Sequence, residues 1–277
     1  MTSLSRFTII ITLIFLPFSV IGQNTESKAP SDNDADQIIN AISLGEQLDE
    51  TAQEFHSQFE QNPLGLDPSQ NTQMMDLFKK AFDKKLLLSD VKDSFEDNFK
   101  TEYSDSVLNW INRESSQKVL DTRKTYYTLQ GIRQRVVNKY ELEQHPPSDD
   151  RKDLMDSLAH STQAAKSEVE ANVTMFRAVV KAFSRLSDQR TFSDAQIEGF
   201  VGNYRNQISS QMDQEISNQL LVMYHGLDDD VLRKYIAFYN TEAGQWLTDS
   251  TTKSMQTAFD AAADRFLNSV DKMDSGK

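Results

Sequence analysis

The sequence predicts an all-α fold made of two helical-bundle modules, each with about four to five helices. Three observations support this fold class. Apolar residues recur at three- and four-residue steps along most of the chain, which places them on one face of an α-helix. No segment shows the apolar and polar alternation of a strand between two hairpin turns. The 277 residues include only 9 glycines and 6 prolines, which is few for a protein built from tight turns.

An uncharged and mostly apolar run, residues 7–21, lies close behind the N-terminus. It is shorter than the roughly 20 residues that a membrane-spanning helix needs. Val20 and Gly22 place small residues three and one positions before a cleavage point, as a signal peptidase requires. We therefore predict that residues 1–22 are a signal peptide and that the chain is exported. The alternative is that this leader is retained as a membrane anchor.

The charge and the cysteine content restrict the class of protein. The chain carries 42 acidic and 29 basic residues, for a formal net charge of −13. This charge repels phosphate backbones, so we expect no nucleic-acid partner. We also expect no stable membrane span once the leader is removed, because the rest of the chain is polar and acidic. The chain has no cysteine, so packing alone has to hold the fold. This composition is typical of a periplasmic or secreted bacterial protein.

The rest of the chain divides into four parts. Residues 23–33 are polar and lack any bulky apolar side chain, so we predict a flexible tether there. Residues 34–144 form the predicted N-terminal helical module. Residues 145–150 contain two adjacent prolines, which remove backbone donors and favour extended backbone, so we predict a linker. Residues 151–273 form the predicted C-terminal helical module.

Within the N-terminal module, apolar spacing predicts successive helices separated by polar breaks. Ser89 has the residue type of a helix N-cap and is predicted to begin one of them. The stretch 115–142 is predicted to be helical, with Val119, Ile132 and Val136 as its periodic apolar sites.

The C-terminal module shows clearer helix boundaries. Residues 158–183 carry an apolar seam with mostly alternating four- and three-residue steps, typical of a bundle helix or a coiled coil. Ser193 and Gln196 have the spacing of a capping box, in which each side chain bonds the backbone amide of the other. Asp228 is predicted to cap a short helix that precedes the last one.

An internal similarity relates the two halves. Shifted by 128 positions, residues 107–121 align with residues 235–249, and an Asn, a Glu, a Gln and an Asp coincide. Trp110 is aligned with Phe238. Both segments read as a short amphipathic helix that ends in an aromatic residue, a polar break and a second helix. This pattern predicts one helix-break-helix unit used twice.

The second copy also resembles a known family. Residues 227–247 begin with an acidic helix start and continue with Phe-Tyr, a hydroxyl residue and a glycine at fixed spacing. This pattern resembles domain of unknown function 2059, an exported bacterial helical family, with a diverged first copy near residues 99–121. The resemblance implies export and a helical domain, and it brings no known reaction. The residues on the family's positions are Phe238, Tyr239, Thr241 and Gly244.

These residues have a structural interpretation, which we call the elbow (residues 238–244). Thr241 can cap the last helix, and Gly244 in its first turn lets another backbone approach. Phe238 and Tyr239 can fill the corner between the two helices, and Trp110 occupies the equivalent place in the first copy. The alternative is that Tyr239 and its neighbours form a ligand site.

The residue types that commonly act in catalysis form no recognised catalytic motif in this sequence. The four histidines stand apart and none sits in the spacing of a catalytic zinc or helical di-iron site. No nucleophile elbow and no glycine-rich phosphate loop is present in the sequence. We therefore predict no catalytic residues, no metal site and no cofactor.

Two functional hypotheses follow from the sequence. The first is an exported, non-catalytic helical protein that binds a protein partner or an apolar ligand in the bacterial envelope, with aromatic and methionine side chains between its helices. The alternative is an envelope hydrolase whose acid and base residues lie near His225 and Asp228.

Overall fold

A computed structural model describes residues 34–61, 66–187 and 191–274. The predicted signal peptide, residues 1–22, and the predicted tether, residues 23–33, lie outside the described residues. The described residues belong to one compact unit.

The described part of the chain consists of twelve α-helices joined by short connections, and it contains no strand, so the all-α prediction is confirmed. No helix within it is both long enough and apolar enough to cross a membrane. The helices are α1 (Asp34–Ala41), α2 (Leu44–Gln61), α3 (Pro68–Ala81), α4 (Lys84–Asp97), α5 (Thr101–Ile111), α6 (Glu114–Tyr126), α7 (Leu129–Gln144), α8 (Asp149–Ser161), α9 (Ala164–Leu186), α10 (Asp194–Met223), α11 (Asp229–Tyr239) and α12 (Glu242–Asp274).

Side-chain caps explain several helix starts. The capping box predicted at Ser193 and Gln196 is present at the start of α10 and is confirmed. Asp83 caps α4 by accepting a hydrogen bond from the backbone amide of Lys85 over 2.9 Å. The prediction that Ser89 begins this helix was wrong, since Ser89 lies inside α4. An aspartate six residues upstream, Asp83, performs the same capping chemistry.

Two stretches predicted as continuous helix are interrupted. The stretch 115–142 breaks at Thr128, whose hydroxyl donates to the carbonyl of Thr125 over 2.7 Å and accepts from the amide of Gly131 over 3.2 Å. The seam 158–183 breaks at Gln163, whose φ of 50° places it in the left-handed region between α8 and α9. In both places a tight turn reorients the chain.

The longest helix, α12, organises the core. It packs against α3, α4, α5, α9 and α11. Phe259 and Phe266 are fully buried in α12 and contact aromatic rings of the N-terminal half, Phe82 at 6.2 Å and Phe78 at 5.6 Å between ring centroids. Helices from both predicted modules therefore share one hydrophobic core. The predicted linker, residues 145–150, contains the connection between α7 and α8, within the same compact unit.

The shift of 128 positions relates helix boundaries as well as residues. It carries the bounds of α5 onto those of α11, and it carries the first residue of α6 onto that of α12. The residues that close the first helix of each pair, Asn112 and Asn240, have nearly identical backbone angles, φ −81° and ψ −1° against φ −83° and ψ −2°. The duplication itself stays a prediction, which these matching bounds support.

Candidate functional site

The elbow forms a closely packed helix junction. The hydroxyl of Thr241 accepts a hydrogen bond from the amide of Gly244 over 3.1 Å and donates to the carbonyl of Phe238 over 2.6 Å. A Cβ atom at Gly244 would lie 2.2 Å from that same carbonyl oxygen, far inside van der Waals contact. Glycine is therefore required here because the start of α12 touches the end of α11.

The predicted site residue of the first copy completes this junction. The indole of Trp110 stacks on the ring of Phe238, with 4.1 Å between centroids and 11° between ring planes. It also meets Tyr239 edge to face at 5.5 Å. Trp110 is fully buried, and Phe238 and Tyr239 are buried as well. The structure thus brings the predicted aromatic site residues into one place and packs them as core.

The two helix pairs contact each other reciprocally. Helix α5 packs on α12, and α11 packs on α6, so the first helix of each pair lies against the second helix of the other. The stacked rings of Trp110 and Phe238, which occupy equivalent positions, contact each other. This is the arrangement of a two-fold interface, in which the same surface is used twice. The corner between the helices is filled by side chains of the other pair.

A tyrosine-arginine cluster lies beside the elbow and was not predicted. The partly buried Arg123 of α6 donates to the side-chain oxygen of Gln47 over 2.5 Å. Its guanidinium lies near the hydroxyls of four tyrosines, and together these residues form the tyrosine-arginine cluster: Arg123, Tyr127, Tyr224, Tyr235 and Tyr239. The hydroxyls of Tyr235 and Tyr239 lie 3.2 Å apart. Burial raises the pKa of Tyr127 to about 12, so this phenol stays protonated near neutral pH. The cluster offers hydrogen bonds and packing, and it offers no phenolate nucleophile.

A group of four carboxylates lies between α2, α9 and α10. Part of the Glu54 side chain is exposed, but the surrounding protein atoms desolvate its carboxyl group. This desolvation, followed by the negative charges of Glu50 and Glu168, raises the pKa of Glu54 to about 8. Glu168 accepts hydrogen bonds from Thr51 at 3.1 Å and from Asn172 at 2.9 Å. Desolvation raises the pKa of Glu168, and the same cause raises that of the fourth member, Glu215. We call Glu50, Glu54, Glu168 and Glu215 the carboxylate cluster.

The described residues contain no group of three or more acidic or histidine side chains arranged to hold a metal ion.

One helix exposes an apolar face to solvent. Among the described residues, five of the six large hydrophobic side chains that remain strongly exposed lie on α7. The exposed fraction is 68% for Leu129 and 62% for Tyr140. Their spacing places the five side chains along one side of the helix over about three turns. We call this surface the α7 stripe, which consists of Leu129, Ile132, Val136, Val137 and Tyr140.

The opposite face of α7 is mostly polar and is fixed to the rest of the fold. Arg135 donates to the carboxylate of Glu50 on α2 over 2.5 Å. The side-chain amide of Asn138 donates to the carbonyl of Val222, near the end of α10, over 2.9 Å. Leu142 packs against the core from this face. Helix α7 therefore turns a polar side inwards and an apolar side outwards, which is the reverse of an ordinary surface helix.

The prediction that Ile132 and Val136 belong to the same periodic apolar pattern as Val119 holds only in part. Val119 of α6 is fully buried, whereas Ile132 and Val136 are each 45% exposed. The physical reason is the turn at Thr128, which separates α6 from α7 and lets α7 dock through its polar residues instead.

The residues of the hydrolase hypothesis make other contacts. The imidazole of His225 lies 3.6 Å from the carboxylate of Glu141, on α7. Asp228 begins α11 without a side-chain cap bond, although its residue type predicts one. The adjacent Asp229 pairs with Arg151 of α8 at 2.5 Å. These carboxylates serve helix starts and ion pairs between helices.

Two open grooves lie on the surface of α12. One, of about 360 Å³, lies between α9 and α12 and includes Lys166 and Asp249. The other, of about 470 Å³, lies between α5 and α12 and includes Tyr103 and Trp246. Both have charged side chains in their walls and open broadly to solvent, unlike the enclosed apolar pockets that hold small molecules.

Comparison with known proteins gives no further assignment, since the chain matches no protein family model, no curated protein and no solved structure. The resemblance of residues 227–247 to domain of unknown function 2059 therefore stays a prediction.

Proposed function

We propose that this chain is an exported, non-catalytic binding protein of the bacterial envelope, and that it binds a protein partner through the α7 stripe. The single observation that carries the proposal is the orientation of α7. A helix of a monomeric protein normally buries its apolar face, because each exposed apolar side chain forgoes the stabilisation of burial. Contiguous exposed apolar surface instead marks a binding site.

The contacts of α7 indicate that its outer surface is held in a fixed orientation and is not mobile. The ion pair of Arg135 with Glu50 and the hydrogen bond from Asn138 to Val222 lie in two successive turns on the inner side. Both partners of the ion pair are less than one-third exposed. A rigid apolar face costs less ordering entropy on binding than a mobile one.

A protein partner fits the geometry better than a small apolar ligand. The corner at the elbow is filled by Trp110 and Phe238, and the two open grooves on α12 have charged walls. The α7 stripe is convex, because it is the outer side of a single helix. Small ligands prefer concave, enclosed sites, whereas helices of other proteins pack on exposed apolar stripes.

Export is proposed from the sequence. The apolar run at residues 7–21, the absence of cysteine and the net charge of −13 support it, and so does the resemblance of residues 227–247 to an exported family. Among the described residues, the contacts of His225 and Asp228 give the hydrolase alternative no supporting arrangement.

Photo-crosslinking in intact cells tests this proposal. A benzophenone amino acid would replace Val137 in the α7 stripe, and Leu86 in a matched control. Leu86 is also exposed, at 40%, but it lies on α4. We expect a discrete crosslinked product with one protein at position 137 and none at position 86. The same products at both positions, or none at either, would contradict the proposal.

A further inference from the structure

The α7 stripe has charged residues on its two sides. Successive residues turn by about 100° around a helix, so Arg133 and Lys139 fall on opposite sides of the line through Leu129, Val136 and Tyr140. Both cations are exposed, and neither forms an ion pair with another described residue. The outer face of α7 is thus an apolar line with one unpaired cation on each side.

These cations belong to a chain whose formal net charge is −13. Lys124, in the last turn of α6, is also exposed and lies close to the N-terminal end of α7. The acidic Glu143 comes one turn after Lys139, so the basic part of the stripe covers the first three turns of α7. A ligand lying along these turns meets Leu129, Val136 and Tyr140 in the middle. It meets Arg133 with Val137 on one side and Ile132 with Lys139 on the other.

We propose that the occupant of the α7 stripe is an amphipathic α-helix of another protein whose apolar face is bordered by carboxylates. The apolar face would cover Leu129, Val136 and Tyr140, and the carboxylates would face Arg133 and Lys139. This inference rests on the proposed function, since it names the chemistry of the partner that the stripe binds. Helix packing on a helix face is an established mode of recognition, and complementary charge at its edges selects the partner.

A second copy of this chain fits the stripe poorly. The same turns of a second copy present Arg133 and Lys139 beside their apolar line, so they offer no carboxylate border to these cations.

An anionic lipid surface is disfavoured by the charge of the whole chain. Two or three cations on α7 attract such a surface, but a chain with a net charge of −13 is repelled from it as a body. A carboxylate-bordered helix, in contrast, is a local ligand that approaches α7 alone.

Binding of designed peptides to the purified chain tests the inference. The first probe is a helical peptide of about four turns with a leucine stripe and glutamates on both borders, labelled with a fluorophore. The second is the same peptide with lysine in place of each glutamate. Fluorescence anisotropy at low salt should show the acidic peptide binding at least about tenfold more tightly than the basic one, since two ion pairs replace two repulsions.

Variants locate the binding and separate its two parts. The double variant Arg133→Glu with Lys139→Glu should reverse the preference between the two peptides. Val136→Glu should weaken both peptides at least about tenfold, whereas Leu86→Glu on α4 should change neither. All these positions are exposed, and an unchanged thermal unfolding midpoint checks that each variant is folded. If Val136→Glu does not fold, the peptide preference of the double variant Arg133→Glu with Lys139→Glu still tests the inference.

Three outcomes would overturn the inference. Equal binding of the acidic and basic peptides would rule out a carboxylate-bordered helix as the occupant of the α7 stripe. It would leave the proposed function intact if position 137 still crosslinks to one protein in cells. A dimer in sedimentation that Val136→Glu dissociates would identify a second copy as the occupant. Binding to phosphatidylglycerol vesicles that depends on Val136, without binding of the acidic peptide, would identify a lipid surface.

Discussion

The guanidinium of Arg135 donates to the carboxylate of Glu50 over 2.5 Å and lies 4.0 Å from the ring centroid of Tyr126. These contacts hold the inner side of α7 to α2 and to the end of α6. They explain why the apolar residues of α7 face outwards, because the helix can be oriented only one way when Arg135 points into the fold. The orientation of the α7 stripe therefore depends on Asn138 and Leu142, which also face the fold, and on the side chain of Arg135.

Replacing that side chain should destabilise the protein. In Arg135→Ala, Glu50 loses its cation and stays next to the other members of the carboxylate cluster, so the free energy of unfolding should fall by about 1–3 kcal/mol. Amide hydrogen exchange should also become faster across α7, because its inner contacts are lost. Arg133→Ala is the control, since this exposed cation should change stability by less than about 0.5 kcal/mol. If urea unfolding gives the same loss of free energy for Arg135→Ala and Arg133→Ala, Arg135 does not hold α7 to the fold.

The close contact at the elbow predicts a strong effect of one methyl group. Gly244→Ala would place a Cβ 2.2 Å from the backbone oxygen of Phe238, so the helices must separate. We expect a loss of at least about 2 kcal/mol in the free energy of unfolding. Gly202→Ala in α10 is the matched control, because a Cβ at this position would meet no side chain and no other segment within 4 Å. That substitution should stabilise by roughly 0.5–1 kcal/mol, as alanine favours a helix. An unchanged free energy of unfolding in Gly244→Ala would disprove the close approach of α12 to α11.

The aromatic stack predicts a second effect on stability. Trp110→Ala should lower the free energy of unfolding by about 3–5 kcal/mol, since it empties a fully buried site against Phe238. Trp110→Phe should cost much less, because the stacked ring is kept and the indole nitrogen has no hydrogen-bond partner among the described residues. If the two variants unfold at the same urea concentration, stacking of this ring does not stabilise the elbow.

The carboxylate cluster predicts a dependence on pH. Desolvation in the fold, with the charges of Glu50 and Glu168, raises the pKa of Glu54 from 4.5 to about 8, so between these pH values the folded chain holds a proton that the unfolded chain releases. This contribution to stability is complete below pH 4.5 and is lost as the pH rises to about 8. Glu54→Gln should therefore unfold at a higher temperature than the parent at pH 8 and at nearly the same temperature at pH 4.5. The exposed Glu102→Gln should show no such difference, and a parallel pH profile for Glu54→Gln would refute the raised pKa.

Local chemistry made the elbow predictable from the sequence. Threonine and glycine three residues apart specify a cap and a close approach, and the aromatic residues before them specify the filling. The turn before α7 uses the same pair at the same spacing, Thr128 and Gly131, so a sequence cue for the break between α6 and α7 was present. At both turns the threonine hydroxyl accepts a hydrogen bond from the amide of the glycine three residues later.

The orientation of α7 could not be predicted in the same way. Periodic spacing places Ile132 and Val136 on one face of a helix, but it does not say whether another element covers that face. The answer depends on contacts made by Arg135 with a residue 85 positions away, which no local pattern encodes. Most of the tyrosine-arginine cluster was missed for the same reason, since Arg123, Tyr224 and Tyr235 belong to separate segments and meet only in the folded chain.

Thiol labelling tests the central claim, that the α7 stripe is an exposed surface which a partner covers. The chain has no cysteine, so Val136→Cys introduces a single reactive group, and Leu86→Cys on α4 and Val119→Cys in the core provide an exposed and a buried control. In the purified protein, a maleimide should label position 136 about as fast as position 86 and much faster than position 119. In intact cells, position 136 should become protected while position 86 stays reactive. Slow labelling of position 136 in the purified protein, or equal labelling of positions 136 and 86 in cells, would contradict the account.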